Sequence, residues 1–292
     1  MTLSNSSDTA PGTSGATKKP PPPRLYKYVP LTDTHTLPNL KSQVLWFGSP
    51  LDFKDPYDCA LIPNIQTPTD DRVEEIRRAY LQHPEILPLQ RQQLEKLSTA
   101  ELREKYMRVC PEAFEMANRQ LIKGVTCFSE RNDNLLMWSH YADGYKGLCL
   151  EFATTFEAFS KVRKVKYEDS FPTMGPPLPS SADNFDQWRK ASSPDYANLL
   201  CTKSKDWGYE EEWRAFHNEV NTEYHYPPEC LTGVYFGPKI EPVWIEIVCL
   251  ILLGQNKSVK FWRGKLSTTG FKVLFEPFTY TSYIEAKRKG LV

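Results

Sequence analysis

The sequence predicts an α+β protein with a mixed, mainly antiparallel sheet and a helical insertion. Three observations lead there. Many short segments rich in Tyr, Val and Phe end at Gly or Pro, as strands of such a sheet do. One long stretch, at about residues 69–121, has helical rather than strand spacing and is segregated from those strands. The 292 residues are 40% hydrophobic and 13% aromatic, enough to build a sizeable core without metals or disulfide staples.

Residues 1–24 are rich in Ser, Thr, Pro and Gly and end in Lys18-Lys19-Pro20-Pro21-Pro22-Pro23-Arg24, a composition that buries too little to fold. They are read as a disordered tail, and residues 25–292 as one α+β domain. Arg24 to Val29 reads as a first strand, Leu37 to Lys41 as a short helix, and Val44 to Phe47 as a second strand ending at Gly48-Ser49-Pro50. Val73, Ile76, Ala79 and Tyr80 share a helix face between Asp70 and Tyr80. Ser98 and Glu101 form a capping-box pattern within a second helical run, Leu94 to Leu121. Gly124 to Ser129 and Lys146 to Phe152 read as strands flanking a turn or helix at Leu135 to Tyr141. Val162 to Tyr167 alternates like a strand with one wet face, and Phe171 to Pro194 reads as a loop followed by a short helix around Trp188. Glu210 to Phe216, Thr222 to Tyr226, Leu231 to Phe236 and Phe271 to Phe275 complete the expected strands. Val243 to Leu253 is a short buried apolar segment, well under the roughly 18–20 residues of a membrane span.

Composition narrows the function classes. With 36 Lys+Arg against 36 Asp+Glu the net charge is zero, so generic binding to nucleic acid or to an anionic membrane is not expected. The N-terminal residues lack a secretory h-region. Seven dispersed cysteines without a CxxC pair are read as reduced, mostly buried thiols of a cytoplasmic protein. His217 and His225 lie eight apart, without the spacing of a metal site, and no metal is expected.

Five segments combine polar, aromatic and turn residues beyond what packing needs, the last of them, Val234 to Pro238, a buried strand ending in a turn with little chemistry of its own. In Leu25-Tyr26-Lys27-Tyr28 the two tyrosines take one strand face and Lys27 the other, either solvated or aimed into a cleft toward an anion. In Leu45 to Cys59, Asp55 before Pro56 suits an Asx-type turn, while Trp46, Ser49 and Asp58 are candidate ligand contacts at a strand mouth. In Cys127 to Ala142, Asp133 or Asn134 can cap a short helix carrying Trp138, His140 and Tyr141. A Cys127/His140 nucleophilic pair is conceivable there. In Lys203 to Arg214, strand alternation places Glu210, Glu212 and Arg214 on one face. Such a row is costly to bury unless its members pair, so it either faces water or lines a polar cleft.

These segments, in this order, resemble the domain-of-unknown-function family 2971, whose blocks are met by Tyr26-Lys27-Tyr28, Leu45 to Cys59, Cys127 to Phe152, Lys203 to Arg214 and Val234 to Gly237. Lys54 stands where that family often has Asn. By a looser analogy the layout is similar to the ADP-ribosyltransferase superfamily, with a polar residue on the first strand, an aromatic/Ser second strand and a late strand carrying a catalytic Glu. The resemblance implies NAD as substrate, a nucleotide-type small-molecule partner and a place in antiphage defence. It also implies roles: Glu212 or Glu210 stabilising positive charge on the ribose, with Lys27 and Arg214 holding the pyrophosphate. Trp46 or Tyr141 would stack on nicotinamide and His140 orient a ribose hydroxyl, with Tyr28, Ser49, Asp55 and Trp138 as further contacts. A non-catalytic ligand- or protein-binding module is the alternative.

Overall fold

The computed structural model describes residues 20–59, 64–84, 86–120, 122–156, 159, 161–174 and 198–290. The N-terminal tail up to residue 19 and the helix expected around Trp188 lie outside them.

The chain enters the fold where the prolines stop. Pro22 and Pro23 offer their carbonyls to Thr154, and β1 (Arg24–Val29) follows directly. After it come α1 (Thr36–Ser42), β2 (Val44–Phe47) and the two-residue β3 (Asn64–Ile65). The insertion consists of α2 (Asp70–Leu81), α3 (Pro88–Lys96) and α4 (Thr99–Gln120). The second helical run is therefore two helices, broken at Leu97-Ser98. There the Glu101 carboxylate accepts from the Ser98 N–H and the Glu101 N–H donates back to Ser98 Oγ, the expected capping box.

The remaining elements are β4 (Gly124–Ser129), α5 (Leu135–Tyr141), β5 (Leu148–Ala153), β6 (Arg163–Lys164), β7 (Lys166–Glu168), β8 (Thr173–Met174), β9 (Thr202–Ser204), β10 (Glu212–His217), β11 (Thr222–His225), β12 (Leu231–Phe236), α6 (Pro242–Leu253), β13 (Lys260–Leu266), β14 (Val273–Phe278) and α7 (Tyr283–Arg288). Eight strands make one sheet in the order β14-β13-β12-β5-β1-β4-β10-β6. All its neighbours are antiparallel except β12 and β13, which the crossover helix α6 joins in parallel. The fold class is α+β, as expected.

Alternation along β1 sorts the two faces. Leu25 belongs with Phe128, Phe152, Trp213, Val234 and Phe236 to a core covered by α1 and α6. Tyr28, Cys149 and Tyr235 share the opposite face with Met137 and Trp138 of α5. α6 is the apolar segment expected to be buried, and its inner side supplies Ile245, Val248, Cys249 and Leu252. Among the described residues no helix is long and apolar enough to cross a membrane.

Three expectations change. The strand read from Glu210 begins at Glu212, because Lys205–Glu210 winds into a 3-10 turn that ends with Glu211 in the left-handed region (φ 46°). The basic run Lys161–Lys166 divides between two short strands, with Val162 and Val165 buried and Lys164 engaging Glu130. β13 was not expected at all, since Gly264 interrupts its apolar residues; a Cβ at that glycine would sit 2.6 Å from the Phe236 carbonyl oxygen.

The sheet is not evenly zipped at its centre. β1 pairs with β5 along its whole length but with β4 only through Tyr26 and Ser129. Beyond that pair β2 joins β4 through a Gly48–Val125 bridge. This split between β1 and β4 is where the cleft described below opens.

Gly237, which ends β12, has no room for a side chain: a Cβ there would lie 2.1 Å from the Tyr145 carbonyl oxygen. Gly237→Ala should cost about 2–3 kcal/mol in urea denaturation; an unchanged midpoint would contradict this packing.

Candidate functional site

A cleft of about 520 Å³ lies over the split. Its floor comes from β1, β4 and β10, its walls from α5, the loop 52–58 and the 3-10 turn before β10. Each wall is locally held. Ser204 caps the 3-10 turn by accepting from the Asp206 N–H. Ser129 Oγ, at the end of β4, donates to the Glu210 carbonyl at 2.7 Å. Asn134 caps α5, accepting from the Leu136 and Met137 N–H groups, and its amide donates to the Tyr209 carbonyl at 2.8 Å. One asparagine thus ties the helix carrying Tyr141 to the turn carrying Glu210.

Five charged side chains meet at the cleft wall. Lys203 Nζ lies 2.6 Å from Glu210 Oε2, 3.1 Å from Asp58 Oδ2 and 3.4 Å from Glu212 Oε2. Arg214 grips both oxygens of Glu212, Nε to Oε1 at 2.7 Å and Nη2 to Oε2 at 2.9 Å, and also reaches Asp58 Oδ1 at 2.6 Å. Its remaining donor goes to Leu200 O and Cys59 Sγ. Such bidentate pairing is the strong geometry for guanidinium and carboxylate.

The two glutamates therefore differ. Burial by itself raises the Glu212 carboxyl, but the charge and hydrogen bonds of Arg214, with Lys203, hold it at about 2. Burial raises Glu210, and there Lys203 and the Tyr141 hydroxyl only partly offset it. Tyr141 Oη donates to Glu210 Oε1 at 2.6 Å. Burial, then that hydrogen bond, pushes the phenol up, so it stays a donor. Burial favours loss of the proton from Lys203, and Glu212, Asp58 and Glu210 outweigh it, so the ammonium is retained.

Lys27 stands at the split. Its ammonium donates to Thr126 Oγ1 at 2.9 Å and to the Cys127 carbonyl at 3.2 Å, on the part of β4 that β1 does not pair. Burial lowers it, and Cys127 and the charge of Glu212 act in the opposite sense. Burial, followed by the Glu212 charge, pushes the Cys127 thiol well up. No thiolate forms there at neutral pH, and the conceivable Cys127/His140 nucleophile loses its chemical basis.

The structure brings Lys27, Tyr28, Asp55, His140, Tyr141, Glu210 and Glu212 to one cleft. Tyr28 Oη is committed to the Arg131 carbonyl, and Asp55 Oδ1 closes the expected Asx turn onto the Tyr57 N–H. His140 is exposed at the mouth, its ring 6.4 Å from that of Tyr141 and 6.5 Å from that of Tyr209. Four others do not line it. Arg214 is 0% exposed with its donors in use, so it supports the carboxylates rather than presenting itself to a pyrophosphate. Trp138 is also 0% exposed, packed on Tyr28 with its indole N–H on the Asn132 carbonyl. Ser49 is buried and caps the turn Pro50–Asp52. Trp46 lines a neighbouring cleft and is 44% exposed. The sequence reading missed Lys203 and Trp207 as site residues. Lys203 opens a segment singled out for its charges, and only the turn of the chain at Gly208 shows that it doubles back onto Glu210. Among the described residues, no group of three or more His, Cys, Asp or Glu side chains could hold a metal ion.

Fold and site together define an α+β protein with a cleft walled by paired buried charges. Residues 137–215, about a quarter of the chain, match the family model described as "Protein of unknown function (DUF2971)". The matched stretch begins on α5 at Met137, holds Tyr141, Lys203, Glu210 and Glu212, and ends just past Arg214. No curated protein and no solved structure matches the chain.

The sign of the Glu212 shift fixes a pH dependence. Its carboxyl titrates near 2 in the folded protein against an ordinary 4.5, so its stabilisation is fully present above pH 4.5 and is lost as pH falls toward 2. Glu212→Gln should lower stability at pH 7 by about 3–5 kcal/mol, because Arg214 is left buried and short of a partner. It should also flatten the loss between pH 4.5 and 2. A denaturation series in which the variant keeps the full acid dependence would contradict this assignment.

Proposed function

We propose that the cleft takes a nucleotide-type ligand, with NAD as substrate, and that the protein is an ADP-ribosyltransferase-like enzyme that breaks the nicotinamide–ribose bond. The observation supporting this most directly is Glu210. It is a buried carboxylate on a cleft wall, held by one hydroxyl and one ammonium, with a lone pair on each oxygen still available to a ligand. Glu212 is more fully used, by Arg214 on both oxygens.

The chemistry follows from the charge that develops. As the C–N bond breaks, nicotinamide leaves with the bonding electrons and the ribose C1′ becomes oxocarbenium-like, as in glycoside hydrolysis. A fixed carboxylate beside that carbon stabilises it without reorganising. Glu210 is the group that touches the ribose; Glu212, with Arg214, is a positioning residue that keeps Lys203 and hence Glu210 in place. Lys27 supplies the positive charge for the diphosphate, the role first given jointly to Lys27 and Arg214. The Tyr141 ring offers a face to nicotinamide while its hydroxyl orients Glu210, and His140 at the mouth suits a ribose hydroxyl or the incoming acceptor. The antiphage role rests on the resemblance alone, with NAD consumption as its chemistry, and the cytoplasmic location rests on the dispersed cysteines read as reduced thiols.

Purified protein incubated with NAD should release nicotinamide, measured chromatographically with and without cell extract. Glu210→Gln should reduce the rate at least about 100-fold while keeping thermal stability close to wild type. Tyr141→Phe should cost roughly 10-fold, the size of one hydrogen bond. Absence of turnover in the wild type, with ligand binding unchanged in Glu210→Gln, would favour the non-catalytic binding module instead.

A further inference from the structure

A second cleft of about 350 Å³ lies beside the first, and the two share Lys27, Tyr28, Phe53 and Cys127. They open on opposite faces of the sheet. The first lies over Tyr26, Ser129 and Glu212, which face the same way because Tyr26 pairs with Ser129 and Ser129 with Glu212. The second lies over Leu150 and Phe152, whose partners on β1 are Lys27 and Leu25, the alternate residues of that strand. β1 and β4 do not pair beyond Tyr26 and Ser129, and both clefts reach the gap this leaves, where they share Lys27 and Cys127. Lys27 sits in that gap with two of its three N–H groups engaged, to Thr126 and Cys127.

The second cleft has the chemistry of a site for a flat ring. Buried Leu40, Leu45 and Phe152 form an apolar floor, and Trp46 offers part of its indole at the edge. Asn39 of α1 lines it, and its carboxamide has no hydrogen-bond partner among the described residues. Asp33 and Thr36 also line this mostly apolar cleft. A mostly apolar pocket with a few placed polar groups is the usual design of a small-ligand subsite, and an amide pairs with the donor–acceptor edge of a purine.

We infer that the two clefts form one continuous groove for a two-ended ligand: a ring-bearing group at Glu210 and Tyr141, an anionic linker at Lys27, and a second flat heterocycle between α1, β2 and the sheet, read by Asn39. The identity of the first ring rests on the NAD reading above; the second subsite does not. The anion belongs in the middle, because Lys27 is the basic residue common to both clefts and keeps one N–H group for a ligand. The groove therefore selects dinucleotides over mononucleotides: two half-ligands joined by a diphosphate gain from linkage what each alone lacks.

Calorimetric titration of the full chain tests this with three probes: adenosine 5′-monophosphate, nicotinamide mononucleotide and ADP-ribose. Asn39→Trp, which fills the second cleft, should weaken adenosine monophosphate and ADP-ribose at least about 10-fold and leave nicotinamide mononucleotide within about twofold. Asn39→Ala, removing only the amide, should weaken adenosine monophosphate by roughly fivefold and serves if the bulkier variant is unstable. Lys27→Met should weaken all three. Adenosine monophosphate binding that ignores both Asn39 variants overturns the second subsite, even where NAD is cleaved. Asn39-sensitive binding without NAD cleavage upholds it and removes the enzymatic reading alone.

Discussion

Burying two cations and three carboxylates in one cluster is the constraint on which the rest of the site depends. Each ion carries a desolvation penalty of several kcal/mol, repaid only when geometry and hydrogen bonds are good. Here Asp58 bridges Lys203 and Arg214, and Arg214 closes both oxygens of Glu212. Among the described residues no buried side-chain nitrogen or oxygen lacks a partner. Because these groups come from the loop before the insertion, from β9, from the 3-10 turn and from β10, satisfying their charges fixes four chain segments at once. One negative charge remains in excess, and the carboxyl whose proton affinity rises, Glu210, is the one that carries Tyr141 at the cleft wall.

The sheet supplies the opening that this cluster walls. Full pairing of β1 with β4 would close it. Instead the ladder stops at Tyr26 and Ser129, β2 takes up β4 through Gly48, and Lys27 spans the gap with side-chain hydrogen bonds. The apolar core on the α1–α6 face and the aromatic cluster under α5 hold the two halves without that ladder. Charge on one side of the split and an ammonium within it make the cleft polar at its base and aromatic at its mouth, where Trp207, Tyr209, His140 and Tyr141 follow one another.

Much of this was legible in the residues. Strands whose apolar residues alternate cleanly, such as β1, β2, β4 and β12, and helices with a cap signal, such as α4 at Ser98, were placed from pattern alone. The pairing demand of Glu210, Glu212 and Arg214 also pointed to the right cluster. What pattern could not give was the path of the backbone. Alternation put Glu210 on the same strand face as Glu212, but a left-handed Glu211 separates them, and Lys203 brings them together again. Alternation also cannot distinguish an arginine that faces a ligand from one that closes a buried pair, which is why Arg214 was first given to the pyrophosphate. Trp138 failed for a similar reason: a helix of seven residues presents either an aromatic core or an aromatic rim, and only packing on Tyr28 decides.

A crystal structure of the protein with ADP-ribose should place the terminal ribose within hydrogen-bond reach of the Glu210 carboxylate and the diphosphate on Lys27 Nζ, with Arg214 still closed on Glu212 and out of contact with the ligand. Density for the ligand away from Lys27 and Glu210, or an Arg214 swung out to meet the diphosphate, would overturn this arrangement.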